Sequence, residues 1–160
     1  KVLLWGRSLG TGPAVLAASK HPDIGGLILQ SPYKSIKAIA RSILTGPASY
    51  AFWRLTVNYI LENTVTERWD TRTIIKKTKC PVLFLHGMKD SLIPAAHSSE
   101  LHTIAQESKN RPSVLRLIDE ADHSTFNFKS DVWPIIQDFL TQHISSKVTP
   151  KKTAQPKSKP

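Results

Sequence analysis

Ser8, Asp90 and His123 are side chains of the types needed to open an acyl bond by nucleophilic attack. A serine hydroxyl is a weak nucleophile and needs a base to take its proton; a neutral histidine does this near pH 7 and later returns the proton to the leaving group. The imidazolium formed in between needs a carboxylate to hold its tautomer and stabilise its charge. Ser8 stands in Gly6-Arg7-Ser8-Leu9-Gly10, directly after the apolar run Val2-Leu3-Leu4-Trp5. A sharp strand-to-helix turn there forces the serine backbone into a strained conformation and lifts its hydroxyl clear of a sheet. Residues two positions away on either side then approach each other, which Gly6 and Gly10 permit by lacking a Cβ, while Arg7 and Leu9 read as free to vary.

Each of the three residues lies just past the end of an expected strand. Gly25 to Gln30, Pro81 to Gly87 and Val114 to Ile118 follow Val2 to Trp5 as apolar runs suited to a sheet buried on both faces. Between them, Pro13 suits a helix first turn, Ala14, Ala17 and Ala18 recur at helical spacing, and a further helix is expected from about Ala95 to Glu107. Val132, Ile135, Ile136, Phe139 and Leu140 mark a closing amphipathic helix. Strand, helix, strand within about thirty residues implies parallel crossovers. In a parallel sheet the C-terminal strand ends share one edge, where Ser8, Asp90 and His123 can converge. Asp119 and Asp122 are rival acids, but both are too near His123 in sequence to approach it from across that edge. His21, His86, His97, His102 and His143 read as structural or solvated. No metal-ligand spacing is evident, and Gly10-Thr11-Gly12 lacks the third glycine of a dinucleotide site and the lysine of a phosphate loop, so no cofactor is expected.

From Lys34 to about Lys79 the pattern turns to longer helices, with Phe52, Trp53, Tyr59 and Trp69 making it rich in aromatics. An insertion between two parallel strands lies at the ligand-binding end, so this segment reads as a lid over Ser8. An ordinary packed helix pair is the alternative, and Arg41 and Arg54 beside apolar surface leave membrane contact open as a third. Residues 1–144 thus form one α/β domain, followed at 145–160 by a basic, proline-bearing tail expected to be disordered. The net charge of +10 over 160 residues would suit nucleic acid, but half of it is carried by Lys147, Lys151, Lys152, Lys157 and Lys159 in that tail. The rest of the chain therefore argues against nucleic acid, and the tail suits loose attraction to acidic lipid headgroups or RNA. The lone Cys80 rules out an internal disulfide framework and fits a reducing, intracellular compartment, either in the cytoplasm or at the cytoplasmic face of a membrane. Beside Pro81 it reads as a packing residue. A chain that begins on a buried-type strand reads as the C-terminal portion of a longer protein.

Together these residues resemble the C-terminal half of an α/β-hydrolase. Gly6-x-Ser8-x-Gly10 is similar to that family's nucleophile elbow, His86-Gly87-x-x-Asp90 to the loop carrying its acid, and Ala121-Asp122-His123 to the turn carrying its base. The order Ser, Asp, His is also the family's. The resemblance covers about residues 1 to 144 and implies a Ser8-His123-Asp90 triad, with the Leu9 N–H as one of two oxyanion donors. Gly6 to Gly12, Gln30 to Tyr33 and Asp90 to Pro94 look most like the intracellular branch that includes protein depalmitoylases and related acyl hydrolases. Two departures stand out. Glu120 replaces a common glycine and, with Asp122, adds negative charge near the base, which predicts a raised histidine pKa. The strands that supply the second oxyanion donor are not among these residues, and losing one such donor costs roughly a hundred- to a thousandfold in rate. The expected activity is hydrolysis of an ester or thioester of an apolar acyl substrate, free or protein-linked. The alternatives are a non-catalytic binding module whose basic tail docks to membrane or RNA, and a truncated, inactive product with an unpaired edge at Val2 to Trp5.

Overall fold

The computed structural model describes residues 2–44, 51–67, 69–108 and 111–144, the side chains of residues 42, 43 and 51–54 excepted. The strands are β1 (Leu3–Arg7), β2 (Gly26–Gln30), β3 (Val82–Gly87) and β4 (Ser113–Ile118). They form one parallel sheet in the order β1-β2-β3-β4, so that every crossover joins neighbours. The helices are α1 (Thr11–Lys20), α2 (Ile36–Leu44), α3 (Ala51–Thr64), α4 (Thr71–Ile75), α5 (Ala96–Glu107) and α6 (Trp133–His143).

Alternation along the central strands sorts side chains between two cores, because successive residues of a strand face opposite sides. Leu27 and Leu29 of β2 and Val82 and Phe84 of β3 pack with Val15 and Ala18 of α1, Ile75 of α4, and Leu101 and Ala105 of α5. The intervening Ile28, Leu83 and Leu85 pack with Ile136 and Phe139 of α6. Both faces of β2 and β3 are thus buried, and their apolar runs are continuous for that reason. Cys80 is buried within the first core, and burial pushes its thiol pKa up, as a packing role requires. Among the described residues β1 and β4 are the sheet edges, and Trp5 of β1 remains 44% exposed.

The segment 34–79 divides in two. α4 belongs to the helical layer on the sheet: it packs on α1 and α5, and Ile75 is fully buried. Arg111 holds it there, donating from Nε to the Thr78 carbonyl (3.0 Å) and from Nη2 to that of Ile75 (2.9 Å). The expected lid therefore stops short of Lys79. α2 and α3 pack on each other, joined by Lys37 to Glu62 (2.6 Å) and by Arg41 Nε to Asn58 Oδ1 (2.6 Å). Ser35 Oγ accepts from the Ala38 N–H, and the Glu67 carboxylate accepts from the N–H groups of Ile36 and Lys37, which satisfies the orphan donors of α2 and suits its dipole. Arg41 is thereby engaged by α3. Phe52, Trp53 and Arg54 fall among the side chains outside the described residues, as does the tail 145–160. No helix among the described residues is long and apolar enough to cross a membrane.

Candidate active site

β1 runs into a short 3-10 turn, Ser8–Gly10, and then directly into α1. Ser8 has φ 50°, a left-handed conformation that costs a non-glycine residue of order 1–3 kcal/mol and turns its side chain out of the strand's path. Thr11 steadies the turn by donating from Oγ1 to the Ser8 carbonyl (2.7 Å). The two glycines are not equivalent. A Cβ on Gly6 would lie 2.6 Å from the Gly10 oxygen and 2.7 Å from the Thr11 Cα, both backbone atoms that cannot step aside, whereas a Cβ on Gly10 meets nothing within 4 Å. Gly10 sits at φ −65°, ordinary helical backbone. The close approach thus explains Gly6 alone. We expect Gly6→Ala to lower the melting temperature sharply and Gly10→Ala to leave it within a few degrees, as thermal unfolding by circular dichroism would register.

His123 brings the turn together with the other two residues. Its Nε2 lies 2.9 Å from Ser8 Oγ and its Nδ1 2.8 Å from Asp90 Oδ2. A carboxylate only accepts, so Nδ1 carries the hydrogen, and a neutral ring then leaves Nε2 bare to accept the serine proton. Asp90 is fixed independently: its side chain is fully buried, and Oδ1 accepts from the N–H groups of Leu92 (3.0 Å) and Ile93 (2.8 Å). Ser8, Asp90 and His123 lie past the C-terminal ends of β1, β3 and β4 respectively. The β3 and β4 loops meet where a Cβ on Gly87 would strike the Ala121 carbonyl, so only glycine lets them approach. Leu9 lies in the first turn of the helical segment, where N–H groups have no intrahelical acceptor, and its side chain is exposed.

Several supports escape a reading of spacing alone. Arg7 has a partner across the fold: its Nη2 donates to the His123 carbonyl (3.1 Å) and ties the elbow to the histidine loop. Tyr33, fully buried, donates to the Leu9 carbonyl (3.4 Å), and burial together with the nearby Glu67 raises its pKa to about 12. Ser31, at the end of β2, has φ 48° and a buried Oγ with no partner among the described residues. Serine before proline at a strand end was the only signal for it. The extra negative charge expected beside the base is occupied elsewhere. Glu120 pairs with Lys89, and hydrogen bonds from the N–H groups of Ser124 and Thr125 hold the Asp122 carboxyl below the usual range.

His97 and His102 are structural. His102 Nδ1 meets Ser113 Oγ at 2.8 Å, and His97 Nδ1 accepts from the Lys34 N–H at 3.2 Å. Burial, with Lys34 nearby, pushes the His97 pKa from 6.5 down to about 4. Between those values the unfolded chain binds the proton and the folded one does not, so the His97 contribution to stability is fully present above about pH 6.5 and is lost as the pH falls toward 4. Urea midpoints measured between pH 7.5 and 4.5 should fall along this slope, and less steeply in His97→Gln.

A cleft of about 540 Å³ is walled by Trp5, Phe126 and Phe128 with Arg7, Gln30 and Ser124 as polar members; it reaches the site through Arg7 and Ser124, the chain neighbours of Ser8 and His123. Phe128 lies 6.0 Å from Trp5 and 5.9 Å from Trp133, ring centre to ring centre.

No family model matches the chain. It is 29% identical to an uncharacterised membrane protein of Saccharomyces cerevisiae over 89% of this chain and 46% of that protein. It is 31% identical to the α/β-hydrolase domain-containing protein WAV2 of Arabidopsis thaliana, over 66% of this chain and 35% of the relative. It is also 31% identical to the lysophosphatidylserine lipase ABHD12 of Danio rerio, over 67% and 29%. The chain thus spans less than half the length of these relatives. Among solved structures, an acylaminoacyl peptidase of Pyrococcus horikoshii superposes on 94% of the chain with TM-score 0.68 at 13% identity, covering 25% of its own length. The esterase domain of a Rhodothermus marinus protein superposes on 90% with TM-score 0.64 at 19% identity, covering 61% of its own. With a parallel sheet, helices on both its faces and the site residues at one edge, this chain carries part of an α/β-hydrolase fold.

Proposed function

We propose that the protein is a serine hydrolase of esters or thioesters of apolar acyl groups. The observation that carries this reading is the hydrogen-bonded run from Ser8 Oγ through His123 to Asp90, at 2.9 and 2.8 Å, on a serine held at positive φ. In the mechanism His123 Nε2 takes the hydroxyl proton as Ser8 Oγ attacks the carbonyl carbon. The negative charge on the carbonyl oxygen falls to the Leu9 N–H and a second donor. His123, held by Asp90, returns the proton to the departing alcohol or thiol, leaving an acyl group on Ser8. Water then enters, gives its proton to Nε2, and releases the acid and the free serine.

The apolar character of the substrate is supported by the Trp5, Phe126 and Phe128 walls of the cleft and by Leu55 and Tyr59, a helical turn apart and exposed on α3 of the proposed lid. A relative that is a lysophosphatidylserine lipase supports a lipid ester. The resemblance of the motifs to protein depalmitoylases supports the thioester of a lipidated protein as the finer alternative. Either substrate suits an intracellular site at a membrane surface. The test is turnover by the full-length protein of p-nitrophenyl esters from acetyl to palmitoyl, lysophospholipids and a palmitoyl thioester peptide. Rising kcat/KM with acyl length on esters or thioesters is expected. Turnover confined to amides, or none on any acyl compound, would contradict the proposal.

A further inference from the structure

His86 occupies the penultimate position of β3, is fully buried, and takes no part in the mechanism above. Its surroundings determine where its hydrogen lies. Nε2 is 2.7 Å from the Ile93 carbonyl oxygen, which can only accept, so Nε2 carries the hydrogen. Nδ1 is 2.6 Å from Ser98 Oγ; in the neutral ring it is bare, and the serine hydroxyl donates to it. The same Nε2 lies 3.3 Å from Asp90 Oδ2, the oxygen that accepts the hydrogen bond from His123 Nδ1–H. The Asp90 carboxylate thus accepts two backbone N–H groups on Oδ1 and the His123 Nδ1–H on Oδ2, while the His86 Nε2–H, bonded to Ile93, stands 3.3 Å from that same Oδ2.

We propose that His86 is a positioning residue for the triad. Resting on the hydrolase reading above, its Nε2–H clamps Asp90 Oδ2 and the Ile93 carbonyl together, and Ser98 fixes the tautomer that makes this possible. The clamp does two things. It sets the rotation of the carboxylate, so that Oδ2 stays in line with His123. It also takes part of the acceptor strength of Oδ2, which moderates how tightly Asp90 holds a protonated His123. The scheme requires His86 to stay neutral while His123 cycles, since two imidazolium rings would otherwise share one buried carboxylate. The charged and titratable groups around it are consistent with that. Asp90 and His123 face it from the β3 and β4 loops, His97 adjoins it from α5 with Lys34 and Glu100 beyond, and burial holds its own pKa down.

Two measurements test the clamp, and one needs no catalysis. In the unmodified full-length protein, nitrogen-15 spectra of the His86 ring are expected to show the neutral Nε2–H tautomer throughout pH 6 to 8. An Nδ1–H tautomer or an imidazolium would overturn the proposal, even if Ser8 proved to be the nucleophile. Conversely, a Ser8→Ala protein with undiminished turnover would sink the hydrolase reading and leave the ring spectrum untouched. In kinetics, His86→Leu is expected to lower kcat by about ten- to a hundredfold, the scale on which outer hydrogen-bond partners act on the groups they orient, with KM little changed. The acid limb of its kcat/KM profile should move to higher pH, because an Oδ2 freed of one donor holds the His123 proton more tightly. His86→Gln, which can place an N–H near Nε2, should recover most of the rate and the limb. Ser98→Ala, a milder change should His86→Leu fold poorly, should move the limb in the same direction by less. A kcat unchanged in His86→Leu, or lost equally in Leu and Gln with the acid limb unmoved, would mark His86 as packing alone and overturn the clamp.

Discussion

Replacing Ser8 with alanine is expected to lower kcat for an activated ester by about 10⁴- to 10⁶-fold, because nucleophile and base act as a unit and little but binding and oxyanion stabilisation survives the loss of either. The fold should persist, since among the described residues Ser8 Oγ bonds only the partly buried His123 and the core lies on either side of the sheet. A companion variant separates function from stability. Ser8 holds φ 50°, where glycine is at ease, so Ser8→Gly should be as inactive as Ser8→Ala yet more resistant to urea by about 1 kcal/mol. Kinetics on both variants beside their denaturation midpoints checks the pair. A site that stores backbone strain for catalysis gains stability when the strain is removed.

Asp90→Asn is expected to cost about 10⁴-fold in kcat through the tautomer of a different residue. Asp90 Oδ1 accepts two backbone N–H groups, so an asparagine must place its carbonyl oxygen there and its NH₂ where Oδ2 stood. That NH₂ faces the hydrogen on His123 Nδ1, two donors opposed, and the ring is driven to carry its hydrogen on Nε2 instead. A protonated Nε2 cannot accept from Ser8. The prediction is a large loss of kcat with KM close to that of the wild type, and a nitrogen-15 spectrum of His123 showing the Nε2–H tautomer.

The parts legible in the sequence are those written in local pattern. β2 and β3 announce themselves as continuous apolar runs because both faces are buried, and α6 because Ile136 and Phe139 share one helical face on the second core. Ser8, Asp90 and His123 were readable because each follows a strand that had to end at the same edge. What local pattern does not carry is the partner a side chain finds across the fold. Arg7 looked variable between two glycines, yet it reaches the His123 carbonyl. His86 looked like one structural histidine among several, yet it lies against Asp90. Gly10 matched the motif as well as Gly6, but only Gly6 stands against backbone, which follows from how α1 leaves the turn. The far end of the expected lid differs for a related reason: the helical pattern read from Lys34 to about Lys79 does not say that α1 and α5 cover Ile74 and Ile75.

The central claim is that Ser8 is a nucleophile activated by His123. It is tested most directly by treating the full-length protein with a fluorophosphonate and mapping the adduct by peptide mass spectrometry. The account predicts one stoichiometric adduct on Ser8, absent from Ser8→Ala and formed far more slowly in Asp90→Asn. An adduct on another residue, or equal labelling of the wild type and Ser8→Ala, would contradict it.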